Sequence, residues 1–161
     1  MLWGYIVALI TLGLDQLTKF LIYGTASRSI IGNLLWFEST LNTGVAFSMF
    51  EDKGYIFIIT SLIASAIFIF LIASKKFTPS KFEKIVFGMI LGGTIGNVID
   101  RIVFGGVRDF ISLKFMNFAI FNVADMGITI GAVLLCVYII VSMFKGDKTK
   151  DNKEIKENSD D

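Results

Sequence analysis

Apolar residues fill four long stretches of the chain, and short polar segments separate them. Each stretch is close to the length of about 20 residues that a helix needs to cross a membrane. We therefore predict four transmembrane helices, near residues 3–23, 54–74, 84–104 and 121–144. The first stretch contains Asp15 and Lys19 and has no basic start, which predicts a retained span rather than a signal peptide.

The segments outside these spans predict a small sheet and a tail. Residues 24–53 contain SIIGNLLWFES and GVAFSMF, two β-like runs that Gly and Asn interrupt, and they predict a small sheet on the membrane surface. Residues 145–161 carry charges of both signs and almost no apolar side chains, which predicts a disordered tail. The expected fold is thus an all-α membrane domain over residues 1–144 with an external sheet, or cradle.

The distribution of Lys and Arg predicts how the chain is oriented. Four lysines lie between the second and third spans and five lie in the tail, against five basic residues on the opposite side. Positive charge is enriched in cytoplasmic segments. This bias predicts that both termini are cytoplasmic and that residues 24–53 lie outside.

Composition narrows the classes of function. The 161 residues are 54% hydrophobic, which is typical of a membrane protein, and the net charge of +1 gives no basic face for nucleic acid. The chain has no His, which excludes Ser–His and Cys–His nucleophile systems and disfavours a zinc site. The one cysteine, Cys136, is predicted to be packed among apolar neighbours.

The polar residues of the spans all fall at one predicted depth, the outer boundary of the membrane. Ionisable residues in spans are costly and usually face the bundle interior or a water-filled cavity, so a shared site is expected. Helical spacing of three and four puts several of them on common faces. The group comprises Asp15, Lys19, Asn97, Asp100, Arg101, Asn122 and Asp125 in the spans and Asp109 in the short external loop predicted after the third span. Two stripes run through it, Gly93–Asn97–Arg101 on the third span and Asn122–Asp125–Thr129 on the fourth.

A third stripe, Gly88, Gly92 and Gly96, lies on the third span. Small residues at this spacing let helices approach closely in lipid. Close helix packing is therefore the expected role of this stripe, and it would also hold the polar residues in place.

Two adjacent carboxylates could share one proton and hydrolyse a peptide bond without a metal or a cofactor. The candidate acids are Asp15, Asp100, Asp109 and Asp125. Lys19 is expected to pair with Asp15, at i and i+4, and Arg101 to pair with Asp100. Asp109 and Asp125 are therefore the favoured catalytic pair, although a purely structural role for them stays open.

Two other chemistries compete with an acid pair. Lys19 could serve as the base for Ser48 or another external serine in a Ser–Lys dyad, although nothing in the sequence aligns these residues. The polar group could instead be the ion site of a small transporter or channel. Such a pathway should have polar groups at more than one depth, and here they stop at one side.

Four sequence blocks, in this order, resemble the lipoprotein signal peptidases (signal peptidase II) of bacteria. They are DQLTK at 15–19, NTGVAFS at 42–48, GGTIGNVIDRIVFGGVRDF at 92–110 and FNVAD at 121–125. The third block is long and specific, and the resemblance covers the chain except for its tail. It implies an aspartic endopeptidase of the cytoplasmic membrane, with its site at the outer face, that cleaves prolipoproteins before a diacylglyceryl-modified cysteine.

The resemblance also implies roles for residues and partners. It assigns catalysis to Asp109 and Asp125, with no metal and no cofactor. Supporting or substrate-binding positions are Asp15, Lys19, Asn42, Gly93, Asn97, Arg101, Asn122 and Ala124. Asn42 and Asn122 are expected to bind substrate backbone, and Arg101 to brace the site or pair with Asp100. Expected partners are lipidated prolipoproteins, membrane lipids and a globomycin-type inhibitor, and the chain is expected to be a monomer.

Overall fold

Four helices and a three-stranded antiparallel sheet make up the fold, in a computed structural model that describes residues 2–44, 54–116 and 118–157, with side chains described up to residue 144. The helices are α1 (Leu2–Ile22), α2 (Gly54–Ala73), α3 (Lys81–Phe104) and α4 (Val123–Glu157). The strands are β1 (Arg28–Ile31), β2 (Leu35–Asn42) and β3 (Val107–Leu113).

The four helices confirm the four predicted spans. Within the described ranges, each is long and apolar enough to cross a membrane, over Leu2–Ile22, Tyr55–Ala73, Lys81–Phe104 and Val123–Phe144. The helix α3 is two-thirds buried along its apolar window, whereas the other three expose most of theirs. It packs against α1, α2 and α4 and is therefore the centre of the bundle.

Glycines let α1 and α3 pack closely, as their spacing predicted. A Cβ atom at Gly88 would collide with the carbonyl oxygen of Gly4, and one at Gly92 would collide with that of Ala8. With hydrogen atoms at these positions, the two backbones come into direct contact. Ala8 also contributes, with Phe87, to the small apolar core next to this contact.

The ends of α3 fix where β3 begins. Ser80 caps the N-terminus in a capping box with Glu83, whose backbone N–H donates to the Ser80 Oγ at 3.2 Å. Gly105 ends the helix in the left-handed conformation, with φ of 73°, which favours glycine. Strand β3 starts only two residues later, so the chain from the last turn of α3 leads directly into the sheet.

The sheet has the order β1–β2–β3, and its third strand lies outside the segment that the sequence predicted. The prediction drew the sheet from residues 24–53 alone and left Asp109 in a loop. Instead, β3 pairs with β2, with Thr40 opposite Asp109 and Asn42 opposite Val107. Five of the seven residues of β3 are buried and the other two are half-buried, so the strand lacks the apolar and polar alternation by which a half-buried strand is recognised. The second predicted run, over residues 44–50, falls almost wholly outside the described residues.

Two expectations for the fourth span differ from the structure. The helix α4 continues to Glu157, whereas a disordered tail was predicted from residue 145. Lys and Glu are good helix formers, and a charged segment can extend a helix that an apolar span has already nucleated. Cys136 is exposed on α4 rather than packed inside the protein, because this helix turns most of its apolar side chains outward.

Candidate active site

One end of the bundle gathers the charged and amide side chains that the sequence placed at a single depth. Helices α1, α3 and α4 contribute from their sheet-facing ends, and strands β2 and β3 complete the group. We call this the polar cluster. Its members are Asp15, Lys19, Asn42, Asn97, Asp100, Arg101, Arg108, Asp109, Asn122 and Asp125.

Asp109 lies on β3 and is almost completely buried, with 2% of its surface exposed. Each of its carboxylate oxygens accepts a hydrogen bond from an asparagine. Asn122 Nδ2 donates to Oδ1 at 2.6 Å, and Asn42 Nδ2 donates to Oδ2 at 3.1 Å. Because β2 pairs with β3, the fold brings Asn42 to this acid from a distant part of the sequence.

Asp125 lies in the first turn of α4 and also accepts two hydrogen bonds. Asn97 Nδ2 donates to its Oδ1 at 2.7 Å, and the backbone N–H of Asn122 donates to its Oδ2 at 3.2 Å. In return, Asn122 Oδ1 accepts the backbone N–H of Asp125 at 3.0 Å. This reciprocal pair resembles a capping box and holds both side chains at the start of α4.

Asn122 joins the two acids, since it donates to Asp109 and exchanges hydrogen bonds with Asp125. The acids are close enough for their charges to interact. Burial and, to a smaller extent, the charge of Asp125 together raise the pKa of the Asp109 carboxyl to about 6, against the lowering effects of the bonds from Asn42 and Asn122 and of the Lys19 charge. Asp109 therefore holds its proton up to about pH 6, well above the ordinary value of 3.8, while Asp125 lies beside it.

The predicted ion pair between Asp15 and Lys19 is confirmed. Both side chains are fully buried, and Lys19 Nζ lies 2.9 Å from Asp15 Oδ2. The other oxygen of Asp15 accepts the backbone N–H of Ala124 at 2.9 Å, which ties α1 to the start of α4. Gly93 lets α3 approach the same point, because a Cβ atom there would collide with the carbonyl oxygen of Ala124.

The predicted pairing of Asp100 with Arg101 is wrong, because Asp100 pairs with Arg108 and with Lys19. Arg108 Nη2 lies 2.8 Å from Asp100 Oδ1, and its Nε and backbone N–H both donate to Oδ2. Arg101 instead donates weakly to the carbonyl oxygen of Asn97, at 3.4 Å, and faces a pocket. The glycine turn after α3 brings Arg108 back onto Asp100, a geometry that helical spacing alone does not predict.

Sequence reasoning also missed Gln16. Its Nε2 donates to Asp15, Asp100 and the carbonyl oxygen of Gly96, and its Oε1 accepts from Arg108 at 2.9 Å. Gln16 lies next to Asp15 inside the DQLTK block, and this position in the sequence could have identified it as a member of the site.

The Ser–Lys alternative is not supported by the geometry of Lys19. Its ammonium contacts Asp15, Asp100 and Asn97 and is fully buried, so it does not reach a serine among the described side chains. Ser48, the serine named for this dyad, lies outside the described residues.

A pocket of about 560 Å³ opens onto the two acids. Asp109 and Asp125 line it together with Asn42, Asn97, Arg101 and Thr129. Its other walls are mainly apolar and come from residues 118–121, from β3 and from α4. Within the described ranges, acidic and cysteine side chains form no group of three that could hold a metal ion. The pocket thus presents two carboxylates to a largely apolar ligand.

The family model and the related proteins that match this chain all point to the same family. Residues 7–141 match the model of a family described as signal peptidase (SPase) II. The chain is 39% identical over 142 residues to the lipoprotein signal peptidase of Shouchella clausii, covering 86% of this chain and 93% of that one. It is 37% identical over 145 residues to the lipoprotein signal peptidase of Brevibacillus brevis, covering 87% and 96%.

A solved structure has the same fold. It is described as a bacterial membrane enzyme determined by the in meso method, and it superposes with a TM-score of 0.78 at 27% identity. The match covers 87% of this chain and 88% of that chain. A second such structure superposes with a TM-score of 0.75 at 28% identity.

Proposed function

The chain belongs to the signal peptidase II family of aspartic peptidases and is a multi-pass membrane protein, and on this premise we propose that Asp109 and Asp125 are its catalytic pair. Its relatives are lipoprotein signal peptidases, so the reaction is removal of the signal peptide from prolipoproteins. The observation that carries the proposal is that both acids line one pocket and are bridged by Asn122.

The raised pKa of Asp109 supports a division of roles between the acids. Asp125 takes a proton from a water molecule, whose oxygen bonds to the scissile carbonyl carbon. Asp109 donates its proton to the carbonyl oxygen, which gives a tetrahedral diol. When the carbon–nitrogen bond breaks, Asp125 returns a proton to the leaving amine and Asp109 takes one back from the diol. The pair ends the cycle with the single proton that it held at the start.

The pocket suits a substrate that is partly lipid and partly peptide. Its apolar walls, from residues 118–121 and α4, can take the lipid chains next to the modified cysteine. Arg101 faces the pocket; among the described residues it donates one weak hydrogen bond, to Asn97, and lies over the ring of Phe57, so its other N–H groups can donate to substrate carbonyls. A peptide inside a membrane has to unwind beside such donors before it can be cleaved. A globomycin-type lipopeptide would occupy the same space.

Asn42 and Asn122 take a different place in this proposal from the one that the sequence indicated. Binding of substrate backbone was expected of both. Their side-chain amides have internal partners, and Asn122 is fully buried. We therefore assign them the role of holding the two carboxylates.

The test is cleavage of a lipidated precursor by purified variants. Asp109→Asn and Asp125→Asn should each lower the rate by at least about a thousandfold, since a positioned acid or base contributes roughly 10²–10⁴ and each variant loses proton transfer. Glu38→Gln is the matched control, because Glu38 is an acid of the same sheet that pairs with Lys114 away from the pocket. It should keep the wild-type rate. Near wild-type cleavage by either aspartate variant would reject the proposal.

A further inference from the structure

Lys19 is fully buried, does not line the pocket and has no role in the mechanism above. Its Nζ lies 2.9 Å from Asp15 Oδ2 and 3.2 Å from Asp100 Oδ2, and it donates to Asn97 Oδ1 at 3.0 Å. An ammonium group has three donors and no acceptor, so these three oxygens use its whole capacity. Of the three, Asn97 is the one that contacts a catalytic acid.

The side-chain amide of Asn97 can face its neighbours in two orientations, which exchange its oxygen and nitrogen. Lys19 can only donate, so it favours the orientation with Oδ1 towards α1, and the Nδ2 of Asn122 donates to the same oxygen at 3.2 Å. Nδ2 then points at Asp125 and donates to it at 2.7 Å. In the other orientation the amide oxygen would face the Asp125 carboxylate, and two acceptors would meet unless the carboxyl were protonated.

We propose that Lys19 is a positioning residue for the reaction, which acts by holding the Asn97 amide in the orientation that donates to Asp125. This inference rests on the proposed function, in which Asp125 takes the proton from water. Without the ammonium, the Asn97 oxygen keeps the longer hydrogen bond from Asn122 but loses the charged donor, so the amide turns more readily. An Asp125 carboxyl that is protonated to face the amide oxygen can no longer act as the base.

A purely structural role for Lys19 would be to neutralise Asp15 and Asp100. These acids have other partners, since Arg108 pairs with Asp100 and Gln16 donates to both. A structural role would therefore weaken the fold but would not make the effect of Lys19 depend on Asn97. This difference can be measured with a double-mutant cycle.

The cycle uses the full chain with Lys19→Met, Asn97→Ala and both changes together. The single-turnover rate constant is measured on a lipidated precursor with saturating enzyme, so that slow variants are also quantified. Lys19→Met should lower this rate constant about a hundredfold, with little change in the enzyme concentration that gives half the maximal rate. In the Asn97→Ala background, the same change should alter the rate constant by less than about threefold. Losses that multiply in the double variant would overturn the inference.

The matched control is Gln16→Met, which removes a polar neighbour of Asp15 and Asp100 that does not contact Asn97. Its effect on the rate constant should be equal in the presence and absence of the Asn97 amide. If Lys19→Met does not fold, Lys19→Gln takes its place in the cycle, because a Gln amide can also accept and so no longer selects one orientation. An effect of Lys19→Gln that disappears in the Asn97→Ala background then supports the inference, and losses that multiply overturn it.

Failure of this inference can be told apart from failure of the proposed function. Measurement of Asp125→Asn in the same assay decides between them. If that variant cleaves normally, the catalytic pair itself is wrong. If it is inactive while the effects of Lys19 and Asn97 multiply, only the positioning role is rejected.

Discussion

Backbone N–H groups determine the orientation of the two side-chain amides, of Asn42 and Asn122, that hold Asp109. Asn42 Oδ1 accepts the backbone N–H of Gly44 at 3.1 Å, and Asn122 Oδ1 accepts that of Asp125, so both Nδ2 groups must point at Asp109. Two N–H donors stabilise the charged form of this acid, whereas burial and the charge of Asp125 oppose it. The opposing effects leave the Asp109 carboxyl with a pKa of about 6, between a surface acid and a permanently neutral one.

This raised pKa predicts how stability depends on pH. The folded protein holds a proton on Asp109 up to about pH 6, whereas the ordinary value is 3.8, so stability falls as pH rises from about 4 through 6. The loss is at most about 3 kcal/mol. Asp109→Asn removes this dependence, so the melting temperature of the wild type relative to the variant should be higher at about pH 4 than at about pH 7.5.

Glu38→Gln is the control for this experiment, because the pH dependence of stability that Glu38 contributes has the opposite sign to that of Asp109. The hydrogen bond from Lys114 lowers the pKa of Glu38, so any stability that Glu38 contributes is lost as pH falls, not as it rises. A melting-temperature difference for Asp109→Asn that stays constant across this pH range would show that burial does not raise the pKa of Asp109.

The sequence could predict contacts within one helix but not those across the fold. Asp15 and Lys19 are one helical turn apart, so their pairing followed from spacing and is confirmed. Asp100 pairs with Arg108 and not with the adjacent Arg101, because the turn after α3 folds β3 back over the end of the helix. A contact of this kind depends on a strand that the sequence pattern did not reveal.

At the scale of elements, the packing of α1 on α3 positions the acids. Gly88 and Gly92 let the two backbones touch, and Gly96 leaves room for the carboxylate of Asp15. A side chain at any of these glycines would push α1 away and carry Asp15 with it. The glycine stripe, the ion pair of Asp15 and the start of α4 at Ala124 are therefore parts of one structural unit.

A pair of glycine substitutions tests this packing. Gly92→Ala should lower the free energy of unfolding by about 1–3 kcal/mol, because its Cβ would collide with the carbonyl oxygen of Ala8. Gly13→Ala, on the open face of α1, meets no atom within 4 Å and should be neutral or stabilise by up to about 1 kcal/mol. Thermal unfolding in the same detergent compares the two.

Equal effects of these two substitutions would mean that helix propensity, rather than the contact between α1 and α3, determines the result. Cleavage activity adds a second measurement. Because Gly92 lies one turn below Gly96 and Asp15, displacement of α1 should also slow cleavage in Gly92→Ala, and Gly13→Ala should keep the wild-type rate.

At the scale of the whole molecule, the buried charged and amide side chains of the described residues are confined to the sheet end of the bundle. The hydroxyl groups that are buried deeper in the bundle donate hydrogen bonds within their own helices. Thr94 donates to the carbonyl oxygen of Ile90, and Ser65 donates to that of Ser61. The described side chains therefore form no polar path through the bundle, as an ion pathway would need. This arrangement favours a reaction at one face over transport.

The position of the polar cluster also bears on the predicted orientation of the chain in the membrane. Of the five basic residues on the sheet side, Arg101 and Arg108 belong to the polar cluster, and Arg108 is paired with Asp100. These two charges are part of the site and need not reflect the positive-inside bias. Without these two arginines, the sheet side has three basic residues and the opposite side has nine. We therefore expect the sheet and the pocket to lie outside the cell and both termini inside.

Cysteine labelling in intact cells tests this orientation. With Cys136→Ser as the background, single cysteines are placed at the exposed positions Ala26, before β1, and Lys76, between α2 and α3. A membrane-impermeant maleimide should label Ala26→Cys in intact cells and Lys76→Cys only after lysis. Labelling of Lys76→Cys alone in intact cells would place the two acids on the cytoplasmic side. A lipidated prolipoprotein whose modified cysteine is anchored at the outer surface would then be out of their reach, so this measurement also decides whether the pocket can meet its proposed substrate.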